Sequence, residues 1–117
     1  MKRSLFAVLL AAFLWTLPVA AEVKVALSGV SAASGSSSVY DTGGARTLNV
    51  QVCGTGFSGE ILVKQGANSA GLVTTKTITL TTNSDCTEYY SLVPSTVTQI
   101  TYTRTAGSVS VYLEILK

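Results

Sequence analysis

A chain of 117 residues with eight lysines and arginines, six carboxylates and no histidine carries a formal charge of +2. Both surplus cations are Lys2 and Arg3. From Glu22 onward, Lys24, Arg46, Lys64, Lys76, Arg104 and Lys117 balance Glu22, Asp41, Glu60, Asp85, Glu88 and Glu114. No basic stripe remains to neutralise phosphates, so nucleic acid is excluded as a partner, and a neutral surface offers little resistance to self-association.

The N-terminus reads as an address. Met1-Lys2-Arg3 is a positive start, Leu5 to Leu17 is an apolar run broken only by Thr16, and Pro18-Val19-Ala20-Ala21 presents small residues. This is the layout of a cleavable secretory signal peptide over residues 1–21. The membrane is then a partner only during export. The rival reading is a retained anchor, for which the run falls short of the roughly 20 residues that span a bilayer comfortably.

After it, Glu22 to Leu27 alternates, placing Val23, Val25 and Leu27 on one face of a short N-terminal strand or arm. Ser28 to Ser38 is a Gly/Ser/Ala stretch expected to be a flexible linker, which leaves residues 39–117 as the folded domain. In that domain Ala45 to Cys53 puts Leu48, Val50 and Val52 inward. Gly54-Thr55-Gly56 punctuates, and Gly59 to Gln65 carries Ile61 and Val63 on one face. Leu72 to Thr82 and Glu88 to Val93 follow, separated by the turn Asn83-Ser84-Asp85 and closed by Pro94. Val97 to Leu116 is expected to be a hairpin turning at Ala106-Gly107. On its second arm Val109, Val111, Leu113 and Ile115 alternate with Ser108, Ser110, Tyr112 and Glu114. About seven strands with regular turn signals predict an all-β fold, a single antiparallel β-sandwich of jelly-roll or immunoglobulin-like kind.

Cys53 and Cys86 are the two cysteines, and in an exported chain such a pair is most simply a disulfide. A metal pair is disfavoured by the wide spacing and the absence of histidine, so no metal and no cofactor is expected. The same absence removes the commonest general base and any Ser-His or Cys-His nucleophile. Gly56-Phe57-Ser58-Gly59 has the outline of a nucleophile elbow, but Glu60 stands where that motif needs glycine. The protein is expected not to be an enzyme.

Two surface readings remain. Tyr89, Tyr90, Tyr102 and Tyr112 could stack on sugar rings or anchor a receptor, although tyrosine is also an ordinary strand former. Thr75, Thr77, Thr79 and Thr81 share one strand face, as do Thr101, Thr103 and Thr105. A regular array of that kind across several strands is what an ice-binding surface would use, whereas isolated threonines suit any solvated strand.

Arg46-Thr-Leu-Asn-Val-Gln-Val52, Gly54-Thr-Gly-Phe-Ser-Gly-Glu-Ile-Leu-Val63 and Val97 to Leu113 together resemble the small β-sandwich accessory proteins of tailed bacteriophages, of the head-decoration and tail-associated kind. The resemblance implies a non-catalytic protein that coats or cements an assembly. A signal peptide and a disulfide depart from that family, whose members assemble in the cytoplasm. Both features lean toward a second, looser resemblance, to exported β-sandwich subunits of surface filaments, in which Glu22–Leu27 on its tether would complete a neighbour's sheet.

The function expected is therefore that of a non-enzymatic exported structural protein. It would self-assemble into, or decorate, an extracellular surface, filament or virion-like assembly, as a homo-oligomer working through Val23, Val25 and Leu27. A secreted binding module for glycan or receptor is the alternative. The location expected is secreted, at the cell surface or in the periplasm.

Overall fold

The computed structural model describes residues 21–117, so the expected signal segment, Ala21 apart, lies outside the described residues. Six strands make the fold: β1 (Ala21–Val30), β2 (Ser34–Asp41), β3 (Thr47–Gly66), β4 (Val73–Asn83), β5 (Tyr90–Leu92) and β6 (Val97–Leu116). All pairings are antiparallel, and the described residues contain no helix. The order is β1-β6-β3-β4, with β2 also on β6 and β5 also on β3.

β3 and β6 are the spine. They pair from Thr47↔Leu116 to Gly66↔Val97, so each 20-residue strand has two outer neighbours in succession. The Val97–Leu116 stretch is thus one strand and not the expected hairpin. Likewise, the two strands expected on either side of Gly54-Thr55-Gly56 are one. Both expectations misread a bulge as a turn. Glycine signals backbone freedom, and β3 and β6 each offer the other a longer partner than their own second arms could.

The bulges explain the burial pattern. From Thr55 to Ser58, β3 advances three residues while β6 advances two. From Ser58 to Gly59, β6 advances two while β3 advances one. One extra residue on each strand flips the inward parity of both. On β3 the buried positions change from Leu48, Val50 and Val52 to Phe57, Ile61, Val63 and Gln65. On β6 they change from Thr98, Ile100 and Tyr102 to Val109, Val111, Leu113 and Ile115. Gly107 sits at this crossing with φ +73°, and a Cβ there would run into the Gly56 carbonyl oxygen.

At the bulges the sheet doubles over, bringing its halves face to face. One half is β1, the C-terminal part of β6, the N-terminal part of β3, and β5. The other is β2 with the remaining lengths of β6 and β3, and β4. Contacts between strands far apart along the spine record the folding. The Tyr40 hydroxyl on β2 donates to the Val25 carbonyl on β1 at 3.3 Å. Lys76 Nζ on β4 lies 5.0 Å from the centroid of the Tyr90 ring on β5. The layers are halves of one hydrogen-bonded sheet, whereas jelly-roll and immunoglobulin-like sandwiches pair two sheets.

The core enclosed between the halves is continuous and almost wholly aliphatic, with Phe57 its largest fully buried side chain. Its size is set by strand alternation on four segments of two strands. Gly35 belongs to this packing, because a Cβ there would come within 2.8 Å of the Tyr102 ring lying over it.

The Ser28–Ser38 stretch lies mostly in strands and is not a free linker. Ser28 to Val30 end β1 and Ser34 to Ser38 begin β2. Small side chains here suit a strand whose inward neighbour is an aromatic ring, and Ile100 N–H donates to the Ser37 hydroxyl at 2.9 Å. Cys53 and Cys86 are disulfide-bonded between neighbouring antiparallel segments. Hydrogen bonds from Gly54 N to the Asp85 carbonyl (3.2 Å) and from Thr87 N to the Val52 carbonyl (2.8 Å) flank the bridge.

Candidate functional site

The arm residues do not share a face. Val23 lies opposite Glu114 and Val25 opposite Tyr112, both pointing outward, with 55% and 51% of their surface exposed. A register shift between Val25 and Leu27 then turns Leu27 inward, where it is buried in the core. β1 is paired with β6 of its own chain. Its other edge carries a Glu22–Lys24 ion pair, which lowers the Glu22 pKa and raises that of Lys24 through their hydrogen bond and charge attraction.

The four tyrosines form no common platform. Tyr102 is buried, Tyr90 packs against the core beneath Lys76, Tyr112 is half-buried beside Val25, and Tyr89 alone among them is widely exposed. Tyr90 and Lys76 instead close one open side of the folded sheet, as Tyr40 and the Val25 carbonyl close the other.

At the end of the folded sheet where β2 and β3 end and β6 begins, the inward positions turn polar. Gln65, Thr42 and Thr98 are buried. Gln65 accepts from the Thr75 hydroxyl at 2.6 Å and donates to the Val93 carbonyl at 3.0 Å. The Thr42 and Thr98 hydroxyls lie 2.9 Å apart, and Thr42 donates to the Ser95 carbonyl at 2.6 Å. These groups satisfy one another and tie the loop before β6 to both layers, which is a structural task. Thr75 is the bulged residue between Lys76 and Thr74, so it leaves the row expected with Thr77, Thr79 and Thr81.

Thr77 and Thr79 do lie on the same outer face as Thr101 and Thr103, but β3 runs between the columns. The cross-strand rows read Thr77–Leu62–Thr101 and Thr79–Glu60–Thr103. Leu62 and Glu60 therefore interrupt the threonine array, and the regular multi-strand lattice that an ice-binding surface would use is not formed.

One row borders a depression. Above Gly59, a hollow of about 490 Å³ opens on the outer face. Ser58, Glu60, Thr79, Thr81, Thr103 and Thr105 supply its polar wall, while Leu80 packs its side chain against the core. The Ser58 hydroxyl accepts from Thr82 N at 2.9 Å, and Thr105 donates to the Ser58 carbonyl at 3.1 Å. Ser58 is thus a scaffold residue rather than an elbow nucleophile. Glu60 was not among the residues singled out from sequence. No local sequence signal sets it apart, because its place between Thr79 and Thr103 depends on the register of three strands. No group of three or more histidine, cysteine or carboxylate side chains with metal-binding proximity occurs among the described residues.

No protein-family model and no curated protein matches this sequence. The fold is similar to that of the SPBc2 prophage-derived protein YomS, with a TM-score of 0.60 and 16% identity over 87% of this chain and 96% of that one. At that identity the likeness is one of fold, and it makes this chain a β-protein built like a prophage-derived protein.

Proposed function

We propose that this protein is a non-enzymatic structural component that is exported and coats or decorates a surface or a phage-type assembly. The observation that carries the reading is the fold shared with a prophage-derived protein over nearly the whole of both chains. Export is supported by the signal-like layout of residues 1–21 and by a disulfide, which persists in oxidising compartments. Assembly would use the free edges. β1 presents Val23 and Val25 on its outer side next to an unpaired backbone edge, and β4 presents a second edge of 11 residues. Addition of one copy's β1 edge to a neighbour's β4 edge is heterologous and propagates.

The test is the size of the signal-processed protein by light scattering and negative-stain microscopy, beside the double variant Val23→Lys, Val25→Lys. Those positions are exposed, so the substitutions leave the core intact. Large oligomers or filaments that disappear in the variant support the reading. A monomer in both forms overturns assembly through this edge.

A further inference from the structure

We propose that the hollow above Gly59 is a binding site for a neutral sugar residue of a surface glycan, held by Glu60 and the surrounding threonine hydroxyls. The shape is set by the backbone. Gly59 lies where β3 and β6 exchange bulges, and a Cβ there would run into the Thr103 carbonyl oxygen and the Phe57 ring, so the close approach of the strands beneath the hollow requires glycine. Glu60 stands in register between Thr79 on one side and Thr103 on the other, which puts a carboxylate between two hydroxyls in one cross-strand row.

The chemistry of the wall favours a polyol. The Glu60 carboxylate has no ion-pair partner among the described residues and is exposed, leaving its oxygens free to accept from two adjacent sugar hydroxyls. The hydroxyls of Thr79, Thr81 and Thr103 make no hydrogen bond within the described residues, so each can donate to or accept from a ligand. The threonine methyls offer an apolar strip to the C–H face of a ring. The hollow is open to solvent, so it would seat one face of a ring rather than enclose a ligand. One negative charge with no neighbouring cation in the wall disfavours sulfated, phosphorylated or carboxylated sugars, so the ligand is neutral.

This site is distinct from the tyrosines and does not depend on assembly. It is tested by affinity electrophoresis of the full signal-processed protein through gels containing dextran, mannan or, as the anionic control, alginate. The expected result is retardation by a neutral polysaccharide and not by alginate. Glu60→Ala and Thr103→Val should each weaken it at least fivefold with an unchanged unfolding midpoint, and Tyr89→Ala should leave it intact. Both wall positions are exposed strand positions, and valine keeps the β-branched shape. No retardation by either neutral polysaccharide, or retardation that survives both wall variants or is lost in Tyr89→Ala, overturns the proposal. Oligomer size is read separately, so failure here leaves the structural reading standing.

Discussion

The Tyr40 hydroxyl and the Val25 carbonyl meet at 3.3 Å across the side of the folded sheet. Along β6 they belong to distant places, since Tyr40 lies opposite Thr98 and Val25 opposite Tyr112. In a straight strand at about 3.4 Å per residue those partner positions would be about 48 Å apart. The contact is therefore a direct product of the fold-over at the bulges. Tyr40→Phe keeps the ring and removes the donor. Being exposed to solvent, the bond should contribute about 0.5–1 kcal/mol, read as a small drop in the urea midpoint.

Gly107 and Gly44 make a matched pair. Both have positive φ, +73° and +76°, but a Cβ at Gly44 meets nothing within 4 Å while one at Gly107 collides with the backbone of Thr55 and Gly56. Gly44→Ala should cost about 1 kcal/mol from conformation alone. Gly107→Ala should cost several times that, or prevent folding, because the crossing of β3 and β6 must open. Equal midpoints in thermal unfolding would refute this account of the bend.

The Cys53–Cys86 bridge closes a loop of 33 residues that contains the second half of β3 and all of β4. Constraining that loop in the unfolded chain should stabilise the fold by about 3–4 kcal/mol. Cys53→Ala, Cys86→Ala should lower the guanidinium midpoint accordingly, and a reductant should shift the wild type but not the variant.

Gln65→Leu tests the buried polar end. The substitution conserves bulk but removes the donor to the Val93 carbonyl and leaves the Thr75 hydroxyl only the Val63 carbonyl, at 3.3 Å. Both bonds are part-buried and the groups left behind lie on exposed residues, so their loss should cost about 0.5–1.5 kcal/mol, partly offset by the added hydrophobicity. A variant as stable as the parent would show that water reaches these groups.

The Glu22–Lys24 pair should matter little. The lowered Glu22 pKa means its contribution is present above the unfolded carboxylate value and fades as pH falls through the folded one. The raised Lys24 pKa means its share is present below the unfolded lysine value and fades as pH rises through the folded one. Both side chains are nearly half exposed, and the pair is screened by solvent. Glu22→Gln should leave the thermal midpoint nearly unchanged at neutral pH and identical to wild type in acid.

Alternation alone determined much of this protein. Leu48, Val50 and Val52, and Val109 to Ile115, are inward because a period of two leaves no other face for them. That pattern gave the all-β antiparallel class without any structure. The cysteine pairing was also legible, since there are only two. What the sequence could not show is which strand each segment would choose. Glycine marks hairpin turns and bulges alike, so Gly54, Gly56 and Gly107 looked like ends of strands until β3 and β6 were seen to run through them. The same ambiguity hid the outer faces. One extra residue near Ala26 parts Leu27 from Val23 and Val25, and another removes Thr75 from its row. The hollow beside Glu60 exists only because two bulges meet there, and register between distant strands is decided by the whole sheet, not by any local run of residues.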